Sequence, residues 1–106
     1  MQKRRVVVTG LGCITPLGNS IESFWSGLLE GKSGASEITH FDASNMPVKF
    51  SCPIKDFKTD KYFDSKEMRK YDLFMQYGLA AGIDAINDSG LEDSTVDKES
   101  VGVAIG

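Results

Sequence analysis

The sequence is poor in the residues that build metal and nucleophile sites. It has one histidine, His40, and two cysteines, Cys13 and Cys52, and neither cysteine belongs to a CxxC pair. A zinc site takes about four ligands from a dense Cys, His or carboxylate cluster, and no such cluster is spaced along this chain. A nucleophilic Cys–His arrangement has no support either, because His40 stands in a loop-like stretch with no pattern around either cysteine. Both cysteines read as small buried hydrophobes. Long apolar runs are also missing. None approaches the roughly 18 residues of a membrane span. The basic start, Met1-Gln-Lys-Arg-Arg5, is followed only by Val6-Val7-Val8, short of the roughly 7–15 apolar residues of a signal peptide. The expected location is the cytoplasm, with both cysteines reduced. A strong basic balance is lacking too, since the net charge is −3, and this argues against a nucleic-acid binder. There are no internal repeats and no low-complexity segments.

What is present is the composition of a soluble globular protein, 41% apolar and 25% charged in 106 residues. Charge is uneven: +1 over Met1–Ile54, +2 over Lys55–Lys70 and −6 over Tyr71–Gly106. Arg5 to Gly10 reads as a buried strand of β-branched residues ending at glycine. A Gly/Pro-rich turn follows, from Gly10 to Gly18. Asn19, with Glu22 three residues on, has capping-box spacing. Ile21, Phe24, Trp25, Leu28 and Leu29 then fall on one helical face, and Gly31 is a natural stop. Lys32 to Phe41 reads as loop. Val48, Phe50, Cys52 and Ile54 alternate with polar neighbours as a period-two strand, which Pro53 places near an edge. A second helix is predicted from Asp64 or Ser65, capped by Asp64 and Glu67, to Ser89-Gly90. Its core face is Met68, Tyr71, Met75, Leu79, Ile83 and Ile86. Gly78 and Gly82 inside it imply close approach of another element. Leu91 to Ser100 reads as an acidic loop, and Val101 to Gly106 as a further buried strand. A core strand with nothing to cover it leads to the expectation that the chain, residues 1–106, is truncated at that strand.

Two motifs bear on chemistry. Gly10-Leu-Gly12 follows a strand as a dinucleotide fingerprint does, but Thr15 stands at the third glycine position. Pro16 and Gly18 delay the helix to about Asn19, and the acidic residue at the expected distance, Glu30, is helical. No cofactor site is assigned. The second motif is Lys66, Arg69 and Lys70 at i, i+3 and i+4. Read as the first turns of the second helix, these cations oppose the macrodipole. An acidic partner explains them. A solvated face partly neutralised by Asp64 and Glu67 is the alternative that spacing leaves open.

Arg4-Arg-Val-Val-Val-Thr-Gly-Leu-Gly12 and Thr15-Pro-Leu-Gly-Asn19 resemble the opening of the condensing enzymes of fatty-acid synthesis. Gly31-Lys-Ser-Gly34, His40-Phe-Asp42 and Lys55-Asp-Phe57 continue the match. The most diagnostic stretch is Lys66-Glu-Met-Arg-Lys-Tyr-Asp72, with Phe74 and Gln76-Tyr-Gly78. Asp88-Ser-Gly-Leu91 and Gly102-Val-Ala-Ile-Gly106 complete it. The resemblance runs the length of the chain and is closest to the beta-ketoacyl-acyl carrier protein synthase II branch.

The resemblance implies an α/β chain forming part of the N-terminal half of a thiolase-like fold, a layered αβαβα architecture. It implies a homodimer that joins an acyl thioester to malonyl-acyl carrier protein with loss of CO2, a decarboxylative Claisen condensation. The substrates ride on the phosphopantetheine arm of acyl carrier protein, with no metal or other cofactor. The family's nucleophilic cysteine and two histidines have no matching position here, so the chain alone is expected to be inactive. Lys66, Arg69 and Lys70 match the family's carrier-docking positions. Two rivals remain at this point: a non-catalytic partner subunit of the same fold, and a small stand-alone binding module. Folding behaviour separates the second from a segment of a larger enzyme.

Overall fold

In the computed structural model, which describes residues 1–106, the turn Thr15–Gly18 sets the entry to the first helix. Thr15 and Gly18 exchange backbone hydrogen bonds at 3.0 and 3.1 Å, around a Pro16 suited to the corner. Helix α1 spans Ile21–Leu29. Its cap is Ser20 rather than Asn19: the Ser20 hydroxyl accepts from the Ser23 N–H, and the Ser23 hydroxyl accepts from the Ser20 N–H, both at 3.2 Å. Asn19 is diverted, because its side-chain amide donates to the Lys55 carbonyl at 2.7 Å. The far end closes as a Schellman motif: Lys32 N–H reaches Gly27 O, Gly31 N–H reaches Leu28 O, and Gly31 has φ +68°.

Strands β1 (Ser36–Glu37) and β2 (Phe50–Ser51) form a short antiparallel ribbon, Ser36 opposite Ser51 and Glu37 opposite Phe50. The loop predicted from Lys32 to Phe41 therefore contains a strand, and the strand predicted from Val48 to Ile54 contracts to its centre. Its apolar alternation has no covering layer here, and Val48, Phe50 and Cys52 are exposed. Cys13 is only half-buried, so neither cysteine is the buried hydrophobe expected.

Helix α2 spans Leu73–Ser89 and ends at Gly90, φ +67°. Its buried residues are Gln76 and Ala80, while Met75 and Leu79 of the predicted core face stay exposed. An aromatic cluster lies between α2 and the segment before it. Phe57 meets Tyr77 edge-on at 5.0 Å, and Phe63 lies 6.1 Å from Tyr71, within the usual range for such pairs. Two 3-10 turns, Leu91–Asp93 and Lys98–Ser100, occupy the acidic segment.

The predicted close approach to α2 occurs, at different glycines. Nothing lies within 4 Å of a Cβ built at Gly78 or Gly82. Gly10 and Gly12 instead lie flat on the helix: a Cβ at Gly12 would meet the Ala81 carbonyl oxygen and the Ala85 nitrogen, and one at Gly10 the Ala85 carbonyl oxygen. Leu11 N–H donates to Asp88 Oδ2 at 2.9 Å beside them. The GxG spacing thus serves helix packing, and α1 opens only after Ser20, away from the glycine turn. The β-branched runs 5–10 and 101–106 form no ladder, because no neighbouring strand within residues 1–106 offers them donors and acceptors. Their valines face solvent, with Val6 93% exposed. The radius of gyration is 17.6 Å, against about 13 Å for a compact domain of this length.

Candidate functional site

Lys66, Arg69 and Lys70 lie together on one turn, residues 65–70, that precedes α2 instead of opening it. The predicted capping box at its start is formed. Asp64 Oδ1 accepts from the N–H groups of Lys66 and Glu67, both at 2.8 Å, and Glu67 Oε2 accepts from Asp64 N–H at 3.1 Å. That box drives a single turn, with Met68 N–H on the Asp64 carbonyl and Lys70 N–H on that of Glu67. The chain then breaks at Tyr71-Asp72, where Asp72 is extended (φ −62°, ψ 157°). Aspartate is a poor helix-interior residue and favours such a cap position. Gln76 fixes the break: its buried side-chain amide donates to the carbonyls of Tyr71 at 2.9 Å and Met68 at 3.4 Å.

This corrects the expected helix start and with it the dipole argument. The macrodipole acts within the first helical turn, and all three cations lie ahead of it. Exposure and pairing carry the weight instead. Lys66, Arg69 and Lys70 are exposed, and none belongs to an ion pair, the three pairs present being Lys32–Glu30, Lys61–Asp84 and Lys98–Glu92. The acids of the turn do not form ion pairs with its cations; Asp64 and Glu67 each accept from backbone N–H groups through one oxygen.

The other end of this segment is tied to α2 by a polar triad. Tyr62 Oη donates to Asp84 Oδ2 at 2.6 Å, and Lys61 Nζ donates to Asp84 Oδ1 at 3.2 Å and to Tyr62 Oη at 3.1 Å. Burial, and then the bond to Asp84, push the Tyr62 phenol up, so it keeps its proton. The bonds to Tyr62 and Asp84 push the Lys61 ammonium up likewise. Sequence reasoning missed Tyr62, Gln76 and Asp84. The one available signal was a polar Gln76 at i, i+4 from Ala80 beside the apolar stripe.

A pocket of about 270 Å³ adjoins the triad, lined among others by Cys13, Glu22, Asp84 and Asp88. Burial first, then the negative charges of Asp84 and Glu22, push the Cys13 thiol up. A raised thiol pKa keeps the unreactive protonated form. His40 is exposed and packs edge-on against Phe41, outside this pocket.

Residues 3–106 match the family model described as beta-ketoacyl synthase, N-terminal domain. The chain belongs to that family. Among its relatives, the 3-oxoacyl-(acyl-carrier-protein) synthase 2 of Vibrio harveyi is 55% identical over 106 residues, covering 100% of this chain and 26% of the relative. The synthase 2 of a Synechocystis species is 42% identical with the same coverage. Among solved structures, the ishigamide ketosynthase/chain length factor aligns with 95% of this chain and 24% of its own, at 31% identity and a TM-score of 0.75. The chain thus spans about a quarter of the relatives it matches, and its fold is α/β, part of the N-terminal half of the thiolase-like ketosynthase fold. No helix is long and apolar enough to cross a membrane.

Membership of the family gives the Gly12 contact a test. A full-length beta-ketoacyl synthase carrying Gly12→Ala must move the backbone of α2 away. It is expected to lose about 1–3 kcal/mol of stability, the usual range for overpacking, read as a lower midpoint in chemical denaturation. An unchanged midpoint would place the first segment elsewhere than against Ala81 and Ala85.

Proposed function

We propose that the chain is the N-terminal quarter of a cytoplasmic, homodimeric beta-ketoacyl-acyl carrier protein synthase. The parent enzyme condenses an acyl thioester with malonyl-acyl carrier protein, losing CO2, in fatty-acid chain elongation. The family match over residues 3–106 supports the reaction class, and the relatives' names specify an acyl carrier protein as what those enzymes act on. The part given to this segment is recognition. Lys66, Arg69 and Lys70 dock an acidic carrier protein, whose phosphopantetheine arm presents the substrate. The catalytic cysteine and histidines belong to other parts of the parent chain. No metal or further cofactor is called for by this chemistry.

One observation carries the docking reading: three exposed cations on one turn, free of ion pairs, whose neighbouring carboxylates are bonded to backbone. Exposed charges of this kind act mainly through association rate. In the full-length enzyme, Arg69→Glu is expected to raise KM for carrier-bound substrates about tenfold, a loss of about 1.4 kcal/mol in binding. Turnover at saturation should hold, and fold stability should stay within about 0.5 kcal/mol. An acyl-pantetheine substrate without carrier is the control. Equal impairment of carrier-bound and carrier-free substrates in a folded variant would sink the docking assignment.

A further inference from the structure

We propose that α2 clamps the basic turn at two points, and that Tyr62 and Gln76 are positioning residues for docking of the acidic carrier; this rests on the docking reading above. The clamp is visible in the bonds. Asp84 of α2 takes Tyr62 Oη at 2.6 Å, and Gln76 of α2 gives its amide to the carbonyls of Tyr71 and Met68. These anchors stand eight residues apart on one helix, about 12 Å along its axis at 1.5 Å per residue. The residues between Tyr62 and Tyr71 carry all three docking cations. Within that stretch Phe63 is buried against Tyr71, and the Asp64–Glu67 box fixes the single turn.

The stretch needs such fixing because it has little of its own. It is one turn with one i to i+4 backbone bond, from Met68 to Asp64, and an isolated turn of helix is not stable in water. Lysine and arginine side chains are long and mobile, so docking that must also order their backbone loses affinity. A turn held at both ends presents Lys66, Arg69 and Lys70 from a set backbone. Both anchors choose groups suited to this. The Tyr62 hydroxyl donates to a carboxylate, a charge-assisted bond stronger than a neutral one. Gln76 supplies two donors to two carbonyls that no helix terminus satisfies.

The test uses the full-length enzyme and five proteins beside the native one: Tyr62→Phe, Gln76→Met, the charge-reversed enzyme carrying Lys66→Glu, Arg69→Glu and Lys70→Glu, and Tyr62→Phe and Gln76→Met each in that charge-reversed background. Tyr62→Phe removes only a hydroxyl from a half-buried ring, and so preserves the packing against Phe57 and Phe63. Gln76→Met keeps length and volume and removes both donors. In the native background, each is expected to lower the ratio of carrier-bound to carrier-free kcat/KM about threefold to tenfold, the size of one or two lost hydrogen bonds. The loss should appear in the KM for carrier substrate and leave kcat in place. In the charge-reversed background the same substitutions should leave the ratio where it is, since no attractive turn remains to be positioned. A merely structural role would lower kcat for both substrate types, or would lower the ratio equally in both backgrounds; either result overturns the inference. An unchanged ratio in Tyr62→Phe overturns it as well, and that variant decides the question if Gln76→Met fails to fold. Failure of the docking reading itself is recognised separately, by an Arg69→Glu enzyme with a native KM for carrier substrate, and the clamp falls with it.

Discussion

Prepared alone, residues 1–106 should melt without a sharp transition and should bind an apolar dye strongly. The expectation follows from how little the chain buries within itself. Only five of its 106 residues are buried, and it forms 38 backbone–backbone hydrogen bonds, against about 70 for a folded domain of this length. Fixing each residue's backbone costs about 1–2 kcal/mol in entropy, and burial is the main term that offsets it. The apolar groups that would supply burial are on the surface. They include Val6 to Val8, Trp25 and Leu29 of α1, and Val103 and Ile105. An open groove lined by Phe74, Met75, Gly78 and Leu79 of α2 adds to them. Unpaired extended runs of valine also template association between copies. Circular dichroism on heating and dye fluorescence test this together. A sharp two-state melt from a soluble monomer with no dye response would instead favour a self-sufficient binding module.

The sequence was legible where the deciding contacts are local. Helix α1 was found within a residue because its cap, apolar stripe and glycine stop all lie inside one stretch. The single error, Asn19 for Ser20, arose because Asn19 is used 36 residues away on the Lys55 carbonyl. The start of α2 shows the opposite case. Asp64 and Glu67 do cap a turn, and the spacing of Met68, Tyr71 and Met75 runs smoothly across the break at Asp72. Only Gln76, bonded back to Met68 and Tyr71, shows that two pieces meet there. Strands were the least legible in detail. A valine run states that it needs partners without stating where they are, and 5–10 and 101–106 find none within this chain.

The same division holds for the candidate site. The grouping of Lys66, Arg69 and Lys70 was readable from spacing, since one turn brings them together whether or not it continues as helix. Their freedom from ion pairs was not readable. Asp64 and Glu67 lie close enough in sequence to neutralise them, and only the capping geometry turns those carboxylates onto backbone N–H groups. Tyr62 and Asp84 are 22 residues apart and meet through the packing of the whole aromatic cluster. Close approach to α2 was read from Gly78 and Gly82, which face open space, whereas the glycines that make it, Gly10 and Gly12 against Ala81 and Ala85, were read only as a possible dinucleotide turn, because which backbones meet is a tertiary fact.

Reversing all three charges at once, Lys66→Glu with Arg69→Glu and Lys70→Glu, should invert the response of the full-length enzyme to salt. On the docking proposal, the turn of the native enzyme attracts an acidic carrier, so added salt should screen an attraction and lower kcat/KM for carrier-bound substrate. In the reversed enzyme the turn repels the carrier, and added salt relieves the repulsion and raises kcat/KM. Screening acts over about 8–10 Å at physiological ionic strength, so the difference is greatest in dilute buffer. There the reversed enzyme should be about 30- to 100-fold slower in kcat/KM, within the range by which fields of charge change association rates. The fold should tolerate the change. The three side chains are exposed and take part in none of the ion pairs, and exposed charge changes usually stay within about 0.5 kcal/mol of stability each. A carrier-free acyl-pantetheine substrate has no acidic surface to steer, so its salt response should keep one sign in both enzymes. If carrier-bound substrate also keeps the native sign of salt dependence in a folded reversed enzyme, the carrier approaches by another face, and this turn has no part in its docking.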